Sequence, residues 1–207
     1  MSATETLRKD HQEIKRVEKI VIKCYQALYD GKDIPLSDIE KITFLISEFL
    51  DSIHYSREED SYFPCVAAYD SLKEEIRALL IEHEFSRNIA RMLSTNLTAW
   101  KSGEDKREPV ARFLKTYSIY LQDHLSKEEE FFTKAEEQIL SKEEEEEMYQ
   151  QFQSVIAIVE KLSDMVKMID YLEDQNWYKY YASFSGVLHG ILFVDDWIAL
   201  FWQDNYS

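Results

Sequence analysis

The feature that most restricts this chain is a repeat that runs from His11 to Phe132. His54-Tyr-Ser-Arg-Glu58-Glu59-Asp60 is followed by Phe63. Further along the chain stands its counterpart, His124-Leu-Ser-Lys-Glu128-Glu129-Glu130, followed by Phe131 and Phe132. His11 and His83 precede these segments at nearly matched offsets, each next to an acid, Asp10 or Glu82. Gly31 and Gly103 follow their histidines at the same distance in both halves. Recurrence at a fixed spacing reads as one structural unit used twice. The unit carries one histidine and then a His-x-x-x-Glu pair.

The flanking pattern makes each unit a helical hairpin. Leu7, His11, Ile14, Val17, Val21, Cys24 and Leu28 recur at three- and four-residue steps, which predicts a helix from about Thr4 to Asp30 stopped by Gly31. Ser37-x-x-Glu40 has the form of a capping box opening a second helix. Its stripe of Ile42, Ile46, Phe49, Leu50 and Ile53 runs into His54 and Glu58, and Pro64 is expected to end or bend it. A third helix is predicted from about Ser71 to Lys101, with Ile76, Leu79, Leu80, His83, Ala90, Leu93 and Leu97 on one face and Gly103 as its stop. A fourth begins near Pro109 and carries Val110, Phe113, Leu114, Tyr117, Leu121, His124, Glu128 and Phe131. Only 4 Gly and 3 Pro occur in 207 residues. A sheet-rich fold needs many more turn residues.

The expected fold is therefore all-α: an antiparallel up-down four-helix bundle over residues 1–140, with residues 141–207 as a C-terminal helical extension packed on the bundle or at a dimer contact. Ser141-x-x-Glu144 is expected to open a helix reaching about Tyr171, with the acidic run Glu143 to Glu147 as its solvated, dipole-favoured start. An aromatic segment from Trp177 to Trp202 follows, read as a cover for the bundle or a contact with a partner. His189, outside the repeat, reads as structural.

Two like hairpins related by a twofold axis bring their inward polar residues together at the bundle centre. Positions i and i+4 share a helix face, so His54/Glu58 and His124/Glu128 each aim at one spot. Four imidazoles and two carboxylates then meet in an apolar core, where ionised carboxylates without partners are very costly and bound cations resolve the cost. Spacing alone is a weak signal: with 40 acidic residues in 207, a carboxylate four places after a histidine arises by chance in roughly one case in five. One histidine on an apolar stripe is more often a hydrogen-bonded core residue than a ligand. Four of the five histidines in matched places argue together for a metal site. Nitrogen and oxygen donors without sulfur suit iron or manganese, and zinc would also bind.

The formal charge of −16 excludes nucleic acid as a natural partner, because the phosphate backbone repels such a chain. Cys24 and Cys65 are far apart and form no Cys-x-x-Cys, so neither a disulfide framework nor a thiolate zinc site is indicated. The N-terminus lacks the apolar core of a signal peptide. The longest apolar stretch, Gly186 to Val194, is too short to span a bilayer, which takes about 20 residues. A cytoplasmic protein without membrane contact is expected.

At the repeat the chain resembles the hemerythrin-like, or HHE cation-binding, family over residues 4 to 140. The resemblance rests on His54-x-x-x-Glu58-Glu59 followed by Phe63-Pro64, on Glu82-His83, and on His124-x-x-x-Glu128. It implies two Fe ions, oxo- or hydroxo-bridged, held in a four-helix bundle by His11, His54, Glu58, His83, His124 and Glu128, with both carboxylates bridging. Oxygen-carrying hemerythrins use a fifth histidine one turn after the ligand on the third helix, and here that position is Arg87. The set of four His and two Glu is more similar to the iron-sulfur cluster repair di-iron proteins and to iron-sensing hemerythrin-like domains, although the cysteine-containing N-terminal domain of many repair proteins is absent.

Both irons would then keep an open position, which suits redox chemistry or binding of O2, NO or peroxide. The implied function is a non-haem di-iron protein of redox or nitrosative stress response or iron-sulfur cluster repair, with oxidoreductase activity left open. An iron or oxygen sensor, a reversible oxygen carrier and a metal-free helical interaction protein are the alternatives. A ferritin-like site would need four carboxylates and Glu-x-x-His pairs, and Leu121 and Leu80 occupy the positions that would have to be glutamate. Tyr55 and Tyr117 are candidates to hydrogen-bond a bound ligand or to serve as plain packing. Glu82 and Asp10 could orient the adjoining histidines, pass protons or face solvent.

Overall fold

A computed structural model describes residues 1–154 and 156–182. Helix α1, Ala3–Tyr29, is started by a reciprocal cap: the Glu5 amide donates to Ser2 Oγ at 3.0 Å, and the Ser2 amide donates to Glu5 Oε2 at 2.9 Å. Gly31, with φ +71°, ends it. The Lys32 amide reaches back to Ala27 O and the Gly31 amide to Leu28 O, so the last carbonyls are satisfied through a left-handed residue that only glycine adopts without cost. Gly103, φ +100°, repeats the arrangement in the second unit, with the Glu104 amide on Ala99 O and the Gly103 amide on Trp100 O.

The second rod is one uninterrupted helix of changing pitch. It comprises α2 (Leu36–Phe44), two π-helical stretches, π1 (Leu45–Tyr55) and π2 (Glu58–Tyr62), and α3 (Phe63–Ala67). Two expectations change here. The Ser37 box does not form: the helix starts two residues earlier, with Pro35 in the cap position, and Glu40 pairs with Lys101 instead. Pro64 does not end the rod: the helix runs through it from π2 into α3. The chain turns beyond Ala67, at Asp70 and Leu72, both with positive φ.

Helix α4 (Lys73–Lys101) and helix α5 (Arg107–Gln138) complete an up-down-up-down bundle. Leu80 departs from its expected place: it is 37% exposed, a step off the face that buries Ile76, Leu79 and His83. Among the described residues there is no strand, and no helix is long and apolar enough to cross a membrane.

Helix α6 (Lys142–Gln153) opens with the expected Ser141–Glu144 cap, but the helix does not continue to Tyr171. It breaks at Ser154, and α7 (Ile156–Asp174) and α8 (Asn176–Ala182) follow. The two longer pieces serve different cores. Met148 and Phe152 of α6 join a smaller cluster with Leu7, Tyr62, Phe63 and Phe132, whereas Met165, Ile169 and Leu172 of α7 join the larger cluster around Val17, Leu50 and Leu114. Arg16 fastens α7 to α1 through Asp170 and Glu173, each at 2.6 Å, and Asp38 accepts from Trp177 Nε1 at 3.0 Å. The acidic run is not wholly solvated: Glu145 is buried and accepts from the Thr4 amide at 2.9 Å and from Thr4 Oγ1 at 2.5 Å, at the N-terminus of α1 where a carboxylate is favoured. His189 and the part of the aromatic segment beyond Ala182 lie outside the described residues.

Candidate metal centre

Between the two apolar clusters lies a polar layer, and it contains all six residues that the repeat singles out. His11, His54, Glu58, His83, His124 and Glu128 are each fully buried. Four helical rods supply them: α1 gives His11, the π-helical rod His54 and Glu58, α4 His83, and α5 His124 and Glu128.

The four histidines turn Nε2 inward. Glu128 Oε2 lies 3.2 Å from His11 Nε2 and 3.8 Å from His54 Nε2. Its other oxygen lies 3.2 Å from His83 Nε2 and 2.8 Å from His124 Nε2. Glu58 spans the same gap, with Oε1 3.6 Å from His54 and Oε2 3.4 Å from His83. Two overlapping groups result, His11/His54/Glu58/Glu128 and His83/His124/Glu128, each with potential ligand atoms within 4.8 Å of one another.

The outward nitrogens are held by a second ring of carboxylates. Glu129 Oε1 lies 2.8 Å from His11 Nδ1, Glu59 Oε1 2.6 Å from His83 Nδ1, and Glu82 Oε2 2.8 Å from His124 Nδ1. Asp10 Oδ2 faces His54 Nδ1 at 3.5 Å. A carboxylate only accepts, so Glu129, Glu59 and Glu82 each place the proton of a neutral ring on Nδ1 and turn the Nε2 lone pair to the centre, whereas His54 Nδ1 makes no hydrogen bond. Basic side chains hold this ring in turn, again in matched places. Arg57, just before Glu58, donates to Asp10 at 2.5 Å, and Lys127, just before Glu128, donates to Glu82 at 2.6 Å. Arg87, four residues after His83, donates to Glu59 at 2.8 Å, while Lys15, four after His11, lies 3.9 Å from Glu129.

A family model described as the hemerythrin HHE cation binding domain matches residues 2–135. The chain belongs to that family. No curated protein and no solved structure matches it significantly.

In this hemerythrin-like bundle the residues fit a cation on their own chemistry. Nε2 of His11, His54 and His124, both oxygens of Glu58 and Oε2 of Glu128 are buried without a hydrogen-bond partner. Buried polar atoms are seldom left so. Without a cation the cluster meets its charge with protons. Burial and the Glu128 charge push the Glu58 carboxyl up, whereas Glu128 is held low by His124, His11 and His54 against its own burial. Burial disfavours the His124 imidazolium, but Glu128 and Glu82 outweigh it and raise that ring to about 9. Cations between the nitrogens and the carboxylates would replace those protons.

The other predicted site residues have definite places. Glu82 and Asp10 belong to the outer ring but do not orient the histidines they adjoin: Glu82 orients His124 and not His83, and Asp10 faces His54 and not His11. Tyr55 stacks on His83, ring centroids 3.8 Å apart, and its hydroxyl donates to Ser86 at 3.3 Å. Tyr117 accepts from Ser86 at 3.2 Å. Both hydroxyls are thus engaged in a small cluster with Ser86 and Tyr120. The orienting roles of Glu59 and Glu129 were not foreseen from the sequence, nor was the stacking of Tyr120 on His124, centroids 5.1 Å apart. For the glutamates a signal existed: each is the second acid of a His-x-x-x-Glu-Glu, and that second acid is itself repeated.

Proposed function

We propose that the protein is a non-haem di-iron protein that binds or reacts with O2, NO or peroxide in redox or nitrosative stress response or iron-sulfur cluster repair. The observation that carries this reading is the convergence of four inward imidazole nitrogens and two spanning carboxylates, fully buried, of which only His83 Nε2 and Glu128 Oε1 share a hydrogen bond, at 3.2 Å. His11 and His54 would hold one ion, His83 and His124 the other, with Glu58 and Glu128 shared. Two adjacent iron ions supply electrons and open coordination positions for a small ligand. Manganese or zinc would be accepted by the same donors.

The protein's own residues narrow the ligand. The centre is closed over by the rings of Tyr55, Phe63, Tyr120 and Phe132, each within 3.8–5.9 Å of a histidine ring, centroid to centroid. A species that reaches it is small. Arg87 is committed to Glu59, Asp51 and Glu84 and leaves the His83 side without a fifth histidine, which favours reactive chemistry over reversible oxygen carriage. A sensor reading has one specific support: α6 bonds to both α1 and the rod that carries Glu58, so a change at the centre has a mechanical route outward.

Metal analysis with an optical spectrum on protein produced with iron available tests the reading. Two irons per chain and charge-transfer bands of a coupled ferric pair are expected, both lost on His54→Ala or Glu128→Ala. Iron-free protein that folds equally well, with neither substitution affecting metal content, would sink it. Peroxide turnover or NO reduction would mark an enzyme, and repeated oxygen release without oxidation a carrier.

A further inference from the structure

The repeat makes the two halves of the centre alike in their ligands but not in their surroundings. Behind His124 the Glu82–Lys127 pair faces solvent, with side chains 22% and 48% exposed. Behind His54 the matching Asp10–Arg57 pair is sealed, at 9% and 6%. The cover is α6. The Phe152 ring lies against the Arg57 guanidinium at 5.3 Å, Ser61 donates to Gln151 at 2.8 Å, and Glu145 grips Thr4. No counterpart of α6 lies over Lys127 among the described residues. In the His83/His124 half both orienting carboxylates, Glu59 and Glu82, reach water, whereas in the His11/His54 half only Glu129 does.

We propose that the two positions of the centre release metal at different rates: the one beside His83 and His124 exchanges, and the one beside His11 and His54 is retained under α6. The inference rests on the two-ion reading above. A ligand leaves a metal when water or a competing donor can follow its side chain out, and an outer pair that is itself locked keeps the ring in place. His83 and His124 can both be displaced through partners that already contact solvent. On the His54 side the outer pair is buried, so water reaches the ring only by breaking the Asp10–Arg57 ion pair, and a buried pair costs far more to break than an exposed one. One half of the centre is then suited to give up or take up an ion while the other preserves the fold.

The test uses the full chain loaded with two equivalents of zinc, which is redox-silent, and mixed with excess chelator. Two release phases of one equivalent each are expected, the slower by about 10-fold or more. Phe152→Ala and, separately, Arg57→Gln should speed the slow phase toward the fast one, and Lys127→Gln should move only the fast phase. Crystals soaked to half depletion should keep anomalous signal between His11 and His54. A single phase for both ions, residual signal between His83 and His124, or a slow phase unmoved in folded variants overturns the inference and leaves the two-ion reading standing. A chain that never takes up a second ion overturns that reading and this inference with it. If Phe152→Ala does not fold, judged by circular dichroism, Arg57→Gln alone decides.

Discussion

At the scale of single residues, the centre is built as two nested rings, and the outer one is where sequence and structure part. The six inner residues were legible because a histidine or glutamate on an apolar stripe is anomalous and the anomaly occurs twice. Asp10 and Glu82 adjoin ligands and were visible as candidates. None of the four outer carboxylates could be matched to its histidine, because each faces a histidine on a different helix, and helical periodicity gives the face of a residue but not the residue at its height on the neighbour. Glu59 belongs to the first unit and orients His83 of the second, and Glu129 does the reverse for His11. Glu59→Gln or Glu129→Gln should therefore weaken metal binding by roughly 10- to 100-fold without removing a ligand. Glu130→Gln, one position further and exposed, should leave affinity unchanged. Competition with a metal-sensing dye measures all three, and equal loss in Glu130→Gln would mean that general surface charge is responsible.

At the scale of elements, matching sequence signals had unequal outcomes for local physical reasons. Ser141-x-x-Glu144 forms its reciprocal cap, whereas Ser37-x-x-Glu40 does not, because Pro35 fixes the preceding turn and Glu40 finds Lys101 across the bundle. The π-helical stretches that carry His54 and Glu58 were not legible, since the apolar residues before them recur at three- and four-residue steps like those of an ordinary helix. The helix stops were fully legible. Gly31→Ala and Gly103→Ala should each destabilise the protein by about 1 kcal/mol, since an added methyl meets nothing within 4 Å and only the left-handed backbone is penalised. Thermal or urea unfolding checks this, and a neutral result at either site would show that the turn can relax. Acid should loosen the start of α6. The Tyr69 hydroxyl and the Ser141 amide and hydroxyl hold the exposed Glu144 carboxyl below its ordinary range. A depressed carboxyl contributes stability that is present above its unfolded value, near 4.3, and lost as pH falls through its folded one. Hydrogen exchange at the start of α6 should accelerate as pH drops below about 4, beyond the intrinsic change, and Glu144→Gln should remove that dependence.

At the scale of the molecule, the polar layer divides the interior into two apolar bodies of unequal size. The larger is shared by the N-terminal half of α5, most of α1, α2, π1 and the C-terminal part of α4, and is backed by α7. The smaller joins the start of α1, Tyr62 to Val66, the end of α5 and α6. The stripes of both are visible in the sequence but the division is not, because each stripe runs continuously through the histidine that interrupts it in space. The division has a consequence for metal removal. A metal bound as proposed would tie the four rods together at the layer between the bodies. Without it, the layer is left with buried polar atoms that lack hydrogen-bond partners, and each body must stand on its own burial. The smaller body buries less apolar surface, so it should loosen first. On chelation, backbone amides of Phe63–Ala67, of α6 and of the last turns of α5 should lose hydrogen-exchange protection, while Val17 to Leu28 and Val110 to Leu121 keep most of theirs. Added salt should restore part of the loss by screening the acidic surface. Uniform loss of protection along all helices would show instead that the two bodies are one cooperative unit and that the metal layer only fills a gap between them.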